Sequence, residues 1–212
     1  MKGITFGDLH SYRDLKLVLG QKEIAAPSVK TNKIEIEGAD GSLDFTDFFG
    51  GPKFGEVEHK FSFYTIEPRS DFLTQYAKVK NALHGQKLRI ILDDDPGFFY
   101  VGRCYVSPFT DEKGIGSISV ECECEPYKYK LNKTVVSQAV SGTTVITLTN
   151  SRKRAVPTIT TTATMTIAFG GGTWTPSAGT FSIPELELVE GMNTVSVTGT
   201  GNITFTWQEG EL

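Results

Sequence analysis

The sequence predicts a mainly β protein with one α-helix, built as two modules. Three features lead there: runs of strict apolar–polar alternation, a single stretch of helical period between Ser70 and Gly85, and an abrupt fall in charge near residue 131. Residues 1–130 carry 17 Lys and Arg and 20 Asp and Glu, whereas residues 131–212 carry 4 and 5 and are dominated by Thr, Ser, Val and Gly. The break falls within Tyr127–Asn132 and gives two domains, 1–130 and 131–212.

In the first module, alternation is clearest over Ser117–Glu125. Ile118, Val120, Cys122 and Cys124 face one way and Ser119, Glu121, Glu123 and Glu125 the other, the signature of a strand with one wet face. Ile34 and Ile36 alternate with Lys33, Glu35 and Glu37, and His59, Phe61, Phe63 and Thr65 with Lys60, Ser62 and Tyr64. The helix is read from Phe72, Leu73, Tyr76, Val79 and Leu83 as its apolar stripe, with Asp71, Gln75 and Lys78 off it. Ser70 suits the N-cap and Gly85 the left-handed position after the last turn. A hairpin follows, Lys87–Asp93 and Phe98–Val106, joined through Asp94-Asp95-Pro96-Gly97 as a type II turn with glycine at the positive-φ position.

The second module reads as Thr143–Thr149, Thr158–Phe169, Thr180–Ile183, Glu185–Val189, Thr194–Thr198 and Asn202–Trp207, punctuated by glycine and proline. Short strands without helical period predict a β-sandwich, with Ile203, Phe205 and Trp207 turned inward.

Bulk properties exclude several functions. The net charge of −4 argues against a duplex-DNA binder, which needs a basic face to displace phosphate counterions. No segment has the ~20 apolar residues of a membrane helix, and the start of the chain lacks a signal peptide's apolar core. The expectation is no membrane association. Three cysteines, Cys104, Cys122 and Cys124, make no even disulfide set and read as buried thiols in a reducing cytosol.

Chemistry-bearing patterns are sparse. Asp93-Asp94-Asp95 runs straight into Pro96-Gly97 and reads as a solvated turn, since a calcium loop spreads its oxygen ligands over about a dozen residues. His84 lies at the end of the helix, where an imidazolium would meet the last carbonyls. His10 and His59 sit in no nucleophile motif, and Gly170-Gly171-Gly172 lacks the Lys-Ser/Thr of a phosphate loop. No catalytic residue, cofactor or metal site is expected, and the chain reads as not an enzyme. Trp174, Phe181 and Trp207 could form a sugar-stacking platform. Trp207 falls on core positions, which leaves Trp174, beside Gly172 and Pro176, as the candidate glycan contact.

Four stretches, taken together, resemble siphophage distal tail proteins (Dit). They are Asp40-Gly41-Ser42-Leu43-Asp44-Phe45 running on to Phe61-Ser62-Phe63; Leu83-His84-Gly85-Gln86-Lys87 continuing through Ile90–Tyr100 to Gly102-Arg103; Ile118–Tyr129; and Gly191-Met192-Asn193-Thr194-Val195 with the ending Phe205–Leu212. The helix–hairpin block around the aspartates is the most specific, and the match spans nearly the whole chain. The resemblance implies a β-barrel or split-barrel-like N-terminal domain that forms a homo-hexameric ring at the distal tail tip, with DNA passing through its lumen. It implies a galectin-like or carbohydrate-binding-module-like sandwich at the C-terminus. Such a phage or prophage protein joins the tail tube protein to tail-tip and receptor-binding proteins of the baseplate. It is assembled in the bacterial cytoplasm and ends in the virion tail tip. The alternative is a carbohydrate-binding module for host cell-wall glycans, and a cell-wall hydrolase is the third reading. At 212 residues the chain has no room for an added carbohydrate-binding domain.

Overall fold

In the computed structural model, which describes residues 2–48 and 50–212, most of the chain is strand and the described residues hold one α-helix. The chain divides into two units, one running to Lys128 and including Leu212, the other spanning Tyr129–Glu211. The first contains β1 (Ile4–Phe6), β2 (Leu9–His10), β3 (Leu17–Glu23), β4 (Val29–Lys30), β5 (Lys33–Glu35), β6 (Ser42–Asp44), β7 (Lys53–Phe54), β8 (Val57–Thr65), α1 (Phe72–Leu83), β9 (Lys87–Leu92), β10 (Phe98–Val106), β11 (Thr110–Glu112) and β12 (Ile115–Cys124).

Its main sheet runs β2-β1-β9-β10-β12-β8-β3 with antiparallel neighbours, and β11 folds back on β12. The sheet is strongly curled. Strands β1 and β8 are four steps apart in that order, or about 19 Å in a flat sheet. Yet the Phe6 ring meets Phe61 and Phe63 edge to face at 6.0 and 6.2 Å. Such an approach requires a half-closed barrel. Its interior is filled by alternate residues of each strand: Ile4 and Phe6, Phe61 and Phe63, Ile90 and Leu92, Cys104 and Val106, and Ile118, Val120, Cys122 and Cys124.

Helix α1 closes the barrel with Phe72, Gln75, Val79 and Leu83 buried. Two expected stripe positions differ. Leu73 is exposed, because about 100° of rotation carries it off the line through Phe72, Val79 and Leu83. Gln75, expected to face water, is buried in its place. The start of the helix also differs: Ser70 lies inside a 3-10 turn, Arg69–Asp71, and Asp71 is the N-cap without a side-chain cap bond. At the other end Gly85 takes φ +78°, as its placement predicts, and its N–H donates to the Cys104 carbonyl at 2.7 Å. The β9–β10 turn is not type II. Phe98 N–H donates to the Asp95 carbonyl at 3.2 Å, but Gly97 is absent from the glycines with positive φ, as in a type I turn.

The second unit contains β14 (Thr134–Asn150), β15 (Thr158–Thr161), β16 (Thr166–Phe169), β17 (Gly172–Trp174), β18 (Gly179–Ser182), β19 (Gly191–Trp207) and β20 (Gly210–Glu211), with β13 (Lys128–Lys130) at the boundary and paired to β20. Strands β14 and β19 pair over their whole lengths, from Thr134↔Trp207 to Asn150↔Gly191. On the other edge of β19, β16 pairs with its first half and β15 with its second.

Several strand expectations change accordingly. Thr194–Thr198 and Asn202–Trp207 are one strand, because Gly199 and Gly201 adopt φ of +156° and +145° and let it bend without breaking. Met165 fills the bend: a Cβ on either glycine would come within 2.9 Å of its side chain. Thr143–Thr149 is the second half of β14. Thr158–Phe169 divides into β15 and β16 because each pairs with a different half of β19. Glu185–Val189 is a turn carrying one isolated bridge, Ala155↔Leu188, and Pro184 ahead of it has no N–H to give a ladder. The core is Ile146, Leu148, Ile159, Met165, Ile167, Val195, Val197, Ile203, Phe205 and Trp207 with smaller contributors. The Trp207 indole N–H donates to Asn150 Oδ1 at 3.1 Å.

One carboxylate ties together the two chain ends of this unit. Glu209 is buried, with Oε1 accepting from Lys130 Nζ at 2.7 Å and from Thr134 Oγ1, and Oε2 from Ser151 Oγ at 2.5 Å. Burial pushes the carboxyl pKa up, but the Lys130, Ser151 and Thr134 hydrogen bonds outweigh it and hold the group below its ordinary value. A lowered folded-state value means the network stabilises above the unfolded-state pKa, and that stability is lost as pH falls through the folded-state one. Glu209→Gln should therefore cost about 1–3 kcal/mol at neutral pH. In urea unfolding followed by tryptophan fluorescence, the gap from wild type should shrink as pH is taken below the ordinary value of 4.5.

Candidate functional site

The three adjacent aspartates do not converge. Asp93 Oδ2 accepts from the Gly3 N–H at 2.7 Å and contacts His10 Nε2 at 3.0 Å. Asp94 pairs with Lys22, and Asp95 with Lys128 at 2.9 Å. They fasten three separate segments to one turn. Among the described residues no group of three or more His, Cys, Asp and Glu side chains is placed to hold a metal ion.

His10 is buried, and its Nδ1 accepts the N–H groups of Tyr12 and Arg13 at 3.1 and 3.2 Å. Nε2 must then carry the proton and donate to Asp93. Ser11 lies next to it, fully buried, with Oγ accepting the Ile4 N–H at 3.1 Å. A serine, a histidine and an aspartate are thus neighbours, but both histidine nitrogens are committed to structural bonds. Burial raises the Asp93 pKa, and the bonds from His10 and Gly3 overcome it to leave the carboxyl below its ordinary value.

The other singled-out residues are dispersed. His84 is the C-cap of α1, and its Nδ1 accepts the Val106 N–H at 3.1 Å. His59 is buried, its Nδ1 accepts the Ala25 N–H at 3.3 Å, and burial lowers its pKa. Cys104, Cys122 and Cys124 are all buried and free. Trp174 is half-buried and packs against the sandwich core, with its ring over Gly172, where a Cβ would come within 2.4 Å of it. Trp207 is closed inside and Phe181 is partly buried, so the three rings share no exposed platform.

Two surfaces stand out instead. The first is an arm between β3 and β8, held by two short ladders, β4–β7 and β5–β6. No described residue between Glu23 and Val57 is buried. The arm nevertheless carries apolar side chains. Ile34 and Leu43 face each other across β5–β6, each 51% exposed; Phe48, whose ring meets Phe45 edge to face, is 70% exposed, and Val29 and Ile36 are half-exposed. An isolated two-stranded hairpin is marginal in water. The alternation at Ile34 and Ile36 predicts a strand with a buried face, and the structure leaves that face open.

The second is the outer face of β8, β12 and β10. Glu56, Glu58, Glu121, Glu123 and Glu125 gather there around Lys60, Lys87 and Arg103, along two shallow grooves. Lys60 pairs with Glu58 at 2.8 Å and Lys87 with Glu125 at 2.8 Å. Glu123 stands directly opposite Glu58 in the ladder, a like-charge pairing that costs stability. Five carboxylates against three cations leave the face acidic.

No family model matches the sequence, and no curated protein does. Among solved structures the chain is similar to the SPP1 Dit (gp 19.1) protein, described as a paradigm of the hub adsorption apparatus in phages infecting Gram-positive hosts, at 14% identity over 100% of both chains with a TM-score of 0.71. The phage p2 baseplate in its activated conformation with Sr aligns at 8% identity over 99% of this chain and 98% of that one, with a TM-score of 0.46. The chain thus has the fold of SPP1 Dit.

Unequal effects on the stability of the isolated chain are expected at the two kinds of site. Asp93→Ala leaves His10 and the Gly3 N–H without their acceptor and should cost about 1–3 kcal/mol. Ile34→Asp and Leu43→Asp replace exposed side chains and should each stay within about 0.5 kcal/mol. Thermal and urea unfolding monitored by circular dichroism measures both.

Proposed function

We propose that this chain is a ring-forming adaptor at the distal tip of a phage tail, where six copies close through contacts made by the arm of one copy on its neighbour. The arm is the observation that carries this reading. It presents a row of apolar side chains with no described core to cover them, and it is too thin to be stable alone. Burying half-exposed Ile34, Ile36 and Leu43 on another copy would contribute about 1 kcal/mol each, and the more exposed Phe48 somewhat more. Because the arm and the surface receiving it are different patches, the contact is heterologous and closes into a ring when the rotation allows. The SPP1 Dit fold supports the same reading.

In such a ring, the acidic face of β8, β12 and β10 suits a lumen that a nucleic acid crosses without adhering, since phosphates find few cations to replace their counterions. The second unit then serves as the mount for tail-tip and receptor-binding proteins, and the first joins the tail tube. The role is structural and non-enzymatic, located in the virion tail tip. Glycan capture through Trp174 draws less support, because that ring is half-covered by its own core.

Native mass spectrometry and negative-stain imaging of the full chain, alone and with tail tube protein, should show six-fold rings. The combined change Ile34→Asp, Leu43→Asp should reduce them to monomer without loss of fold. Rings of unchanged abundance in that double variant, or a wild-type chain that stays monomeric even with the tube protein, would overturn the proposal.

A further inference from the structure

Cys104 and Cys122 sit directly opposite each other on the two central strands β10 and β12, with their sulfurs 3.4 Å apart. Their place in the ladder matters more than the distance. Around them, Glu125 N–H donates to the Val101 carbonyl and Ser107 N–H to the Ser119 carbonyl, both at 2.9 Å. Those hydrogen-bonded pairs alternate with non-bonded ones, and counting inward from them makes Cys104↔Cys122 a non-bonded pair. The Cys104 backbone agrees: its N–H and carbonyl are engaged on the opposite side, with Gln86 at 2.9 Å and Gly85 at 2.7 Å. At non-bonded pairs the Cα atoms approach to about 4.5 Å with side chains on one face, inside the range of about 4.4–6.8 Å that a disulfide accepts. Closing the gap to the bonded distance of about 2.05 Å needs side-chain rotation and no strand movement.

From this register we infer that Cys104 and Cys122 form a cross-strand disulfide under oxidising conditions, making the pair an oxidative modification site in the middle of the barrel sheet. The oxidant class is a two-electron acceptor such as hydrogen peroxide. One thiol gives up its proton and attacks a peroxide oxygen, the O–O bond breaks, and the departing hydroxide takes that proton and leaves as water, with a sulfenic acid remaining. The second thiol attacks that sulfur and displaces a second water. Two S–H bonds and one O–O bond are exchanged for one S–S bond and two waters, with each sulfur oxidised by one electron. Cys124 takes no part, because it lies one non-bonded pair further along, opposite Gly102, which offers no thiol. Both reacting thiols are fully buried, so the bond forms slowly, at the rate at which the sheet opens or peroxide enters. Formation on release from a reducing host interior would follow from the tail-tip reading; the chemistry itself does not depend on it.

The test exposes the folded full-length chain to hydrogen peroxide, quenches, unfolds in guanidinium with excess iodoacetamide, and counts alkylated cysteines by mass. The expected result is one alkylated thiol, Cys124, in place of three. Digestion that cuts after Glu123 separates Cys122 from Cys124 and should yield a Cys104–Cys122 linked peptide that dithiothreitol releases. The oxidised chain should also unfold roughly 5 °C or more higher than the reduced chain. Cys124→Ala should leave the bridge intact, and Cys122→Ala should abolish it. Three alkylated thiols after prolonged oxidation, a linked peptide containing Cys124, or intermolecular dimers on a non-reducing gel would overturn the inference.

Discussion

The packing of Phe6 against Phe61 and Phe63 is the constraint from which the rest of the first unit follows. It brings strands at distant places in the sheet order face to face and gives the curled sheet a single dry interior. Every strand that contributes to that interior must then alternate, one residue inward and one outward. Strand β12 shows the result, with Ile118, Val120, Cys122 and Cys124 enclosed while Glu121 and Glu123 remain at the surface. The sheet's acidic exterior and its sulfur-containing interior are two sides of one geometric requirement.

Polar groups hold the ends of this barrel and of the sandwich. The bonds that count are those least exposed to water: His10 with Asp93 in one unit, and Glu209 with Lys130, Thr134 and Ser151 in the other. Ion pairs such as Arg152–Glu190 or Lys60–Glu58 lie in water, where solvent and salt screen them, and they contribute little. An aspartate triplet that looks like one chemical feature in the sequence is, in space, three separate fastenings on one turn.

What remains outside both cores is informative for assembly. The arm between Glu23 and Val57 has strand pairing but no buried residue among those described, and its apolar side chains find only partial cover within their own copy, Phe45 against Phe48 and Phe54 against Tyr127. A surface of that kind leaves apolar area for another surface to cover, whereas the acidic face of β8, β12 and β10 pairs several of its charges in water. One surface is apolar and open, the other charged and hydrated.

Local periodicity was legible without any structure. The β class, the single helix, the inward set of β12, the burial of Trp207 and the left-handed Gly85 all rest on spacings within a few residues, where side-chain direction follows from backbone geometry alone. The register of distant segments was not. That Cys104 faces Cys122, that Asp93 reaches His10, that Thr194–Thr198 continues into Asn202–Trp207 around a glycine bend, and that Ile34 and Leu43 are left uncovered are decided by which strands become neighbours. Alternation tells which side of a strand is apolar, but only the curled sheet determines whether that side meets a core or open water.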